Sequence, residues 1–167
     1  SFRIRVVDTV TPRLAVPSPL TVEATRPTGA QVEFQAMAND LVDRRPRVTC
    51  TPASGSTFPL GATTVRCSAR DASGNRADAS FAVTVVDTTP PALSLPENRT
   101  VQATSTKGAA VTYAASATDI VDGAVFPSCA PPSGSTFPVG ATTVTCSARD
   151  TRGNQSISER AFKFLDR

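Results

Sequence analysis

The chain has 167 residues, a net charge of +3 and no histidine, and 40% of its residues are hydrophobic. Without histidine there is no ordinary Ser-His or Cys-His pair, and without a basic stripe or a stacking platform there is no sign of nucleic-acid recognition, so we expect neither catalysis nor nucleic-acid binding. No run of about 18 apolar residues occurs, and we expect no membrane insertion.

The first segment, residues 1–8, resembles a strand that occurs again later in the chain. Phe2-Arg-Ile-Arg-Val-Val-Asp8 matches Phe81-Ala-Val-Thr-Val-Val-Asp87 at an offset of 79 residues. Because the later copy closes a repeat, we interpret residues 1–8 as the end strand of a preceding repeat, with a linker peptide as the alternative. Pairing of this strand with a neighbouring chain would produce self-association, as in a filament or surface layer.

Residues 9–87 and 88–167 are two copies of one unit. The offset of 79 residues holds without a gap, and the stretch from Ser54 to Asp71 recurs with only two changes, at Leu60 and Arg66. A period of this length is that of a small domain and exceeds that of most solenoid repeats. The sequence therefore predicts an array of two domains.

Alternation of apolar and polar residues predicts β-strands in both units. In the first unit Val65, Cys67 and Ala69 alternate with polar neighbours, which is typical of half-buried strands. For the second unit the predicted strands are Leu93–Leu95, Thr100–Ala103, Ala110–Ser116, Phe126–Cys129, Ala141–Ala148 and Ile157–Leu165. Asp71-Ala-Ser-Gly-Asn75 predicts a hairpin turn, in which the aspartate accepts a hydrogen bond from the following backbone. An apolar face on each strand predicts an all-β, two-sheet sandwich.

The four cysteines, Cys50, Cys67, Cys129 and Cys146, lie two in each unit. A domain of about 80 residues buries only about 60% of its unfolded surface, so a cross-link helps to stabilise it. The repeat favours pairing of Cys50 with Cys67 and of Cys129 with Cys146, although other pairings are formally open. Zinc is disfavoured because the chain has neither histidine nor a Cys-x-x-Cys motif. Disulfides predict an extracellular location.

The motifs of the second copy are specific enough to suggest a family. Asp87-Thr-Thr-Pro-Pro91 opens the repeat, and Cys-x-Pro-x-Ser-Gly-Ser-Thr-Phe-Pro-x-Gly-Ala-Thr-Thr-Val-x-Cys-x-Ala-x-Asp follows. This pattern resembles the hyalin repeat (HYR) module and covers nearly the whole chain. The resemblance implies tandem immunoglobulin-like β-sandwiches of an extracellular, adhesion-associated protein, with no catalytic residues. Many members have a further cysteine where this chain has Ala79 and Ser158, so one bridge per module is expected.

Acidic residues provide the candidates for a metal site. Calcium binds six to eight oxygen ligands, and Asp87 at the junction could supply one together with Asp119 or Asp122. We expect instead that these aspartates cap turns by accepting hydrogen bonds from local backbone N–H groups and that the chain has no cofactor, with calcium as the alternative.

One cluster of basic residues stands out. Arg44, Arg45 and Arg47 occupy positions where the second copy has Gly123-Ala-Val-Phe126. The cluster predicts either a solvated loop or a contact for acidic glycans or anionic surfaces.

These observations predict a non-enzymatic module that serves as a structural spacer and adhesion element of a larger surface or secreted protein. The two prolines of the junction favour a stiff link, so we expect modules arranged end to end. The expected partners are neighbouring domains of the same polypeptide, a protein or glycan on a cell surface, and other copies of the chain. One alternative is the self-assembling subunit described above. Another is a carbohydrate-binding accessory region of a secreted hydrolase, which is disfavoured because Tyr113 and most phenylalanines are predicted to face the core.

Overall fold

A computed structural model describes residues 2–165, and no segment in that range is helical, so none of it forms a helix that could span a membrane. The chain divides into two compact units, Ser1–Asp87 and Thr88–Arg167. The strands of the first unit are β1 (Arg13–Ala15), β2 (Leu20–Glu23), β3 (Ala30–Gln31), β4 (Met37–Asn39), β5 (Arg47–Thr51), β6 (Thr57–Phe58), β7 (Gly61–Arg70) and β8 (Arg76–Val86). Those of the second unit are β9 (Ala92–Ser94), β10 (Arg99–Gln102), β11 (Ala109–Ala110), β12 (Ser116–Asp119), β13 (Gly123–Val125), β14 (Ser128–Ala130), β15 (Thr136–Phe137), β16 (Gly140–Arg149) and β17 (Gln155–Leu165).

The larger sheet of the first unit has the strand order β2-β8-β7-β5. Its centre is the β7–β8 hairpin, which is paired from Gly61 opposite Val85 to Arg70 opposite Arg76. The predicted turn is confirmed, because Asp71 Oδ1 accepts a hydrogen bond from the backbone N–H of Asn75 at 2.8 Å. β1 pairs with β4 and contacts β7 and β8 without being paired to them, so the core lies between two layers.

The side chains that point inward from β7 and β8 fill this core. Val65, Ala69 and Val83 are fully buried, as the alternation of the sequence predicts. The ring of Phe34 packs edge-on against those of Phe58 and Phe81, with centroid distances of 6.5 and 5.0 Å. The first unit is therefore an immunoglobulin-like β-sandwich with an apolar interior.

The second unit repeats this architecture. Its larger sheet has the order β10-β17-β16-β14, and β9, β12 and β13 form a three-stranded sheet. Phe137 stacks on Phe164 at 5.3 Å and meets the edge of Phe162 at 5.9 Å, and all three rings are buried. The buried core of this unit comprises Ala109, Val111, Phe137, Val144, Cys146, Phe162 and Phe164.

In each unit the first strand of the larger sheet, in chain order, lies parallel to the last strand of that sheet. β2 pairs with the end of β8, from Leu20 opposite Val83 to Glu23 opposite Val86, and β10 pairs in the same way with the end of β17. One further hydrogen bond extends the first ladder, from the Ala24 N–H to the Val86 carbonyl at 2.7 Å. No sequence pattern predicts this parallel pairing.

The predicted strand at Ala110–Ser116 is wrong in its central part. β11 ends at Ala110 and β12 begins at Ser116. Between them the Ser133 hydroxyl accepts a hydrogen bond from the Tyr113 N–H at 2.8 Å and donates one to the Tyr113 carbonyl at 2.7 Å. A serine side chain therefore replaces the backbone partner of a regular ladder. The predicted strand Phe126–Cys129 is also interrupted, because neither Phe126 nor Pro127 is in a strand.

A glycine fixes the contact between β3 and β6. Gly29 has a φ of +112°, and a Cβ atom there would lie 1.9 Å from the carbonyl oxygen of Phe58. Gly108 stands in the same relation to Phe137 in the second unit, at 1.8 Å. Only glycine allows the backbones to approach so closely in this conformation.

Residues 2–8 form no strand, and the side chains of Phe2, Ile4 and Val6 are exposed. The matching residues of the first repeat, from Phe81 to Val85, fill its core from β8. The interpretation of residues 1–8 as the end strand of another repeat stays a prediction, and Ser1 lies outside the described residues.

Candidate functional site

The four cysteines form one disulfide in each unit, which confirms that prediction. Cys50 on β5 lies opposite Cys67 on β7, and their Cα atoms are 4.0 Å apart. Cys129 on β14 and Cys146 on β16 repeat this arrangement. Each bridge therefore links neighbouring strands of one sheet, and Cys67 and Cys146 are buried in the cores.

Three aspartates of the first unit converge. Asp8, Asp40 and Asp71 each offer a carboxylate oxygen, and these oxygens lie within 4.8 Å of one another. Hydrogen bonds orient the carboxylates: Asp8 Oδ1 accepts one from the Val10 N–H at 3.0 Å, and Asp40 Oδ1 accepts one from the Val42 N–H at 2.9 Å. One oxygen of each carboxylate therefore caps a turn, as the alternative to calcium binding proposed.

The second carboxylate oxygens of Asp8 and Asp40 cap no turn. Oδ2 of Asp8 and Oδ2 of Asp40 are buried and accept no hydrogen bond from residues 2–165. The N–H groups of Asp43 and Val42 donate to Asp40 and lower the pKa of its carboxyl group, which favours the charged form. Charged oxygens without a donor are of the kind that calcium binds.

In the second unit, Asp119 and Asp122 are the equivalents of Asp40 and Asp43. Asp119 is only 8% exposed; its Oδ1 accepts a hydrogen bond from the Asp122 N–H at 2.9 Å, while its Oδ2 accepts none from the described residues. The carboxylate oxygens of Asp119 and Asp122 lie within 4.8 Å of each other. Asp87, the third residue of the predicted calcium site, is the last residue of the first unit and is buried. Calcium binding by Asp87, Asp119 and Asp122 stays a prediction.

The basic cluster predicted from sequence is divided by the structure. Arg44 and Arg45 are exposed residues that precede β5, whereas Arg47 is its first residue. Arg47 lies opposite Arg70 on β7, and Arg70 lies opposite Arg76 on β8. Three arginines thus form a row across three neighbouring strands, with their side chains on the outer face of the sheet.

A fourth arginine lies on the same outer face. Arg66 precedes Arg70 by four residues on β7, which places the two about 13 Å apart along the strand. We call the set Arg47, Arg66, Arg70 and Arg76 the arginine face. Hydroxyl-bearing residues lie between the arginines. A shallow hollow of about 670 Å³ is lined by Thr49, Thr51, Ser68, Arg66, Arg76 and Asp78 among others. Arg47 and Arg70 line an adjoining hollow with Thr49, Ser68 and Arg76.

One carboxylate of the first unit already binds to this face. Arg76 donates hydrogen bonds from Nε and Nη2 to Asp78 Oδ1, at 2.9 and 2.7 Å. The bond lowers the pKa of Asp78 and holds it as a carboxylate. Among residues 2–165, Arg47, Arg66 and Arg70 have no carboxylate within ion-pair distance. Three of the four guanidinium groups are therefore not paired with any acid of the described residues.

The corresponding face of the second unit has a different chemistry. At the offset of 79 residues, Arg47, Arg66 and Arg76 become Phe126, Thr145 and Gln155. Phe126 is 96% exposed. Arg66, Arg70 and Arg76 were not among the binding residues predicted from the sequence. The signal was present, since Arg66 is one of two changes within an otherwise identical stretch, and Arg70 and Arg76 flank the predicted turn.

Comparison with known proteins places the chain. A model of the HYR domain matches residues 7–85 and, a second time, residues 86–162. The chain belongs to the HYR family. It is 37% identical to a hyalin of Strongylocentrotus purpuratus over 92% of its own length, and 36% identical to a hyalin of Lytechinus variegatus over 99% of its length. It spans 13% and 33% of the lengths of these two relatives.

The HYR fold of this chain also has a counterpart among solved structures. Titin domains Z1Z2, solved in complex with telethonin, superpose with a TM-score of 0.51 over 96% of this chain and 100% of that one, at 14% identity. At this identity the similarity concerns the fold alone. Family membership and the two disulfides are consistent with an extracellular, adhesion-type module.

Proposed function

We propose that this chain is a non-enzymatic structural spacer and adhesion element within a longer extracellular protein, and that each repeat is built to bear load. The observation that carries the proposal is the parallel pairing of the first and last strands of the larger sheet in each repeat. Tension applied through the chain ends pulls such strands in opposite directions along their length. All hydrogen bonds of the ladder are then loaded in shear together, whereas an antiparallel hairpin pulled open at its end would lose them one at a time.

Two further features support a load-bearing role. The ladder continues beyond β2 and β10 through hydrogen bonds from Ala24 to Val86 and from Ala103 to Leu165, at 2.7 and 2.9 Å. Each disulfide joins residues 17 apart in sequence and prevents the enclosed loop from extending. A repeat that does yield therefore lengthens less than its residue count would allow.

Single-molecule force spectroscopy on the full chain, tethered at its two ends, tests the proposal. Ala24→Pro with Ala103→Pro removes one ladder donor from each repeat, because proline has no N–H group. We expect a lower unfolding force for this variant. The matched control is Phe58→Leu with Phe137→Leu, which weakens both cores without touching the ladders. The proposal is wrong if the proline variant unfolds at the wild-type force, or if both variants lose force in proportion to their lost stability.

A further inference from the structure

The arginine face places four positive charges and one negative charge on one small surface of the first repeat. Arg47, Arg70 and Arg76 lie on adjacent strands, which are about 4.8 Å apart. Like charges directly opposite each other on a sheet destabilise it. The row of arginines therefore lowers the stability of the fold and is not explained by folding alone. The second repeat has only one arginine at these positions, Arg149, which is the equivalent of Arg70.

The contact between Arg76 and Asp78 indicates which anion suits this face. Two N–H groups of one guanidinium converge on a carboxylate oxygen at 2.7 and 2.9 Å. Charge-assisted hydrogen bonds of this kind are stronger than neutral ones, and arginine matches carboxylate groups by geometry as well as charge. Arg47, Arg66 and Arg70 present the same donors without an acid of the described chain beside them.

The groups between the arginines suggest the rest of the ligand. Thr49, Thr51 and Ser68 are hydroxyl donors and acceptors that share the outer face with the arginines. Neutral hydroxyl groups alternating with fixed positive charges complement a chain whose hydroxyl groups alternate with carboxylates. On the outer face of β5, β7 and β8 no aromatic residue is available to stack on a nucleic-acid base, because Phe81 of β8 points into the core.

We infer that the arginine face binds a linear polysaccharide built from uronic-acid residues, whose carboxylates contact the arginines and whose hydroxyl groups contact Thr49, Thr51 and Ser68. The polymer lies across β5, β7 and β8, in this hollow and the adjoining one that Arg47 and Arg70 line. This inference gives the adhesion element a ligand class, and it rests on a different surface from the load-bearing ladders.

The second repeat supplies the substitutions that test the inference. Arg47→Phe, Arg66→Thr and Arg76→Gln place on the first repeat the residues that the second repeat carries at the same positions, which favours correct folding. Binding of the full chain to polygalacturonate is measured by calorimetry at low ionic strength, with neutral dextran as the blank. We expect the triple variant to bind at least about tenfold more weakly, since each lost charge-assisted bond contributes appreciably. Wild-type binding should weaken as salt is added.

The control removes the same number of charges elsewhere in the first repeat. Arg13→Ala, Arg26→Ser and Arg45→Ala again use the residues of the second repeat, and none of the three lies on β5, β7 or β8. We expect these changes to alter binding less than about twofold. Equal weakening by the control would overturn the inference, because it would indicate attraction by net charge alone.

Further measurements exclude misfolding and other ligands. Replacing Arg47, Arg66 and Arg76 by lysine keeps the charges but removes the fork geometry, and we expect affinity between that of the wild type and the neutral variant. Dextran sulfate and double-stranded DNA are titrated in parallel. The inference is overturned if polygalacturonate does not bind, or if either of these polymers binds more tightly than polygalacturonate in a way that depends on the same three arginines. Loss of binding with an unchanged unfolding force separates this inference from the proposed spacer function.

Discussion

On the outer face of β5, β7 and β8 the first repeat carries Arg47, Arg66, Arg70 and Arg76, whereas the equivalent face of the second repeat carries Arg149 and the exposed side chains of Phe126 and Ile157. The interiors beneath these faces share their main features, although Phe81, Val83 and Val85 of β8 are replaced by Arg160, Phe162 and Phe164 of β17. Both contain a disulfide between neighbouring strands, and both contain a fully buried phenylalanine next to a glycine of positive φ.

The buried positions that the two repeats share are those that the fold requires, whereas the residues of the outer face can differ without affecting the fold. From Ser54 to Asp71 the two repeats differ only at Leu60 and Arg66. Arg66 points outward, so its replacement by threonine leaves the core unaffected. Changes at shared interior positions should therefore affect both repeats alike, and changes on the outer face should affect only the function of one.

The largest effect is expected at the shared glycines. Gly29→Ala and Gly108→Ala place a Cβ atom 1.9 and 1.8 Å from a carbonyl oxygen, at a φ that L-residues rarely adopt. We expect each to destabilise its repeat by about 3 kcal/mol or more, measured by urea unfolding. Gly55→Ala and Gly134→Ala are the controls, since their φ is also positive but no atom lies within 4 Å, and they should cost only about 1 kcal/mol. A large loss in one repeat only would contradict the equivalence of the interiors.

The second largest effect is expected at the disulfides, which should contribute equally to the free energy of unfolding of the two repeats. Each joins residues 17 apart, a loop for which cross-linking contributes about 3 kcal/mol in the chain-entropy model. We expect reduction, or Cys50→Ser with Cys67→Ser in one repeat alone, to lower unfolding free energy by that order. In force spectroscopy, reduction should lengthen the step of each repeat by about 60 Å, the extended length of the released loop. Free thiols in the unreduced protein would contradict the pairing.

The sequence predicted the repeats well because their signals are local. Period-two alternation identified the inward residues of β7 and β8, and the Asp71-to-Asn75 turn determined the register of the hairpin. The parallel pairing of β2 with β8 was not predicted, because it joins segments about 60 residues apart and no local pattern indicates it. The strand expected at Ala110–Ser116 was wrong because periodicity reports burial and does not report the backbone partner that the Ser133 side chain replaces.

The candidate sites were harder to predict because their residues are brought together by strand pairing and not by nearness in sequence. Arg44, Arg45 and Arg47 were grouped because they are adjacent in sequence, yet only Arg47 joins the row on the sheet. Arg70 and Arg76 join it through strand register. The convergence of Asp8 with Asp40 and Asp71 likewise depends on tertiary structure.

The aspartates give a third test of the equivalence of the repeats. Asp40 and Asp119 occupy the same position, and each has a buried Oδ2 that accepts no hydrogen bond from residues 2–165. Calcium binding at Asp119 is the alternative to turn capping that the sequence leaves open. If calcium binds there, it should stabilise the folded state, by about 2.7 kcal/mol when free calcium is 100 times the dissociation constant. We expect calcium to raise the melting temperature of the wild type and Asp119→Asn to reduce this increase. Magnesium, which requires a tighter octahedral shell, is the control. No heat and no change in melting temperature on addition of calcium would show that the aspartates only cap turns.

The smallest effect concerns the one acid that lies on the arginine face. Arg76 donates hydrogen bonds to Asp78 and lowers the pKa of its carboxyl group, and the second repeat has Gln155 and Ile157 at these positions. A carboxyl group whose folded pKa is lowered stabilises the folded state above its unfolded pKa, and this contribution is lost as the pH falls through the folded pKa. Arg76→Gln should therefore return the pKa of Asp78 towards its ordinary value, as followed by NMR titration, and should remove its part of the acid dependence of stability. Both residues are exposed, so the change in stability at neutral pH should be slight. An unchanged Asp78 titration in this variant would show that the Ser68 side chain, and not the arginine, lowers the pKa of Asp78.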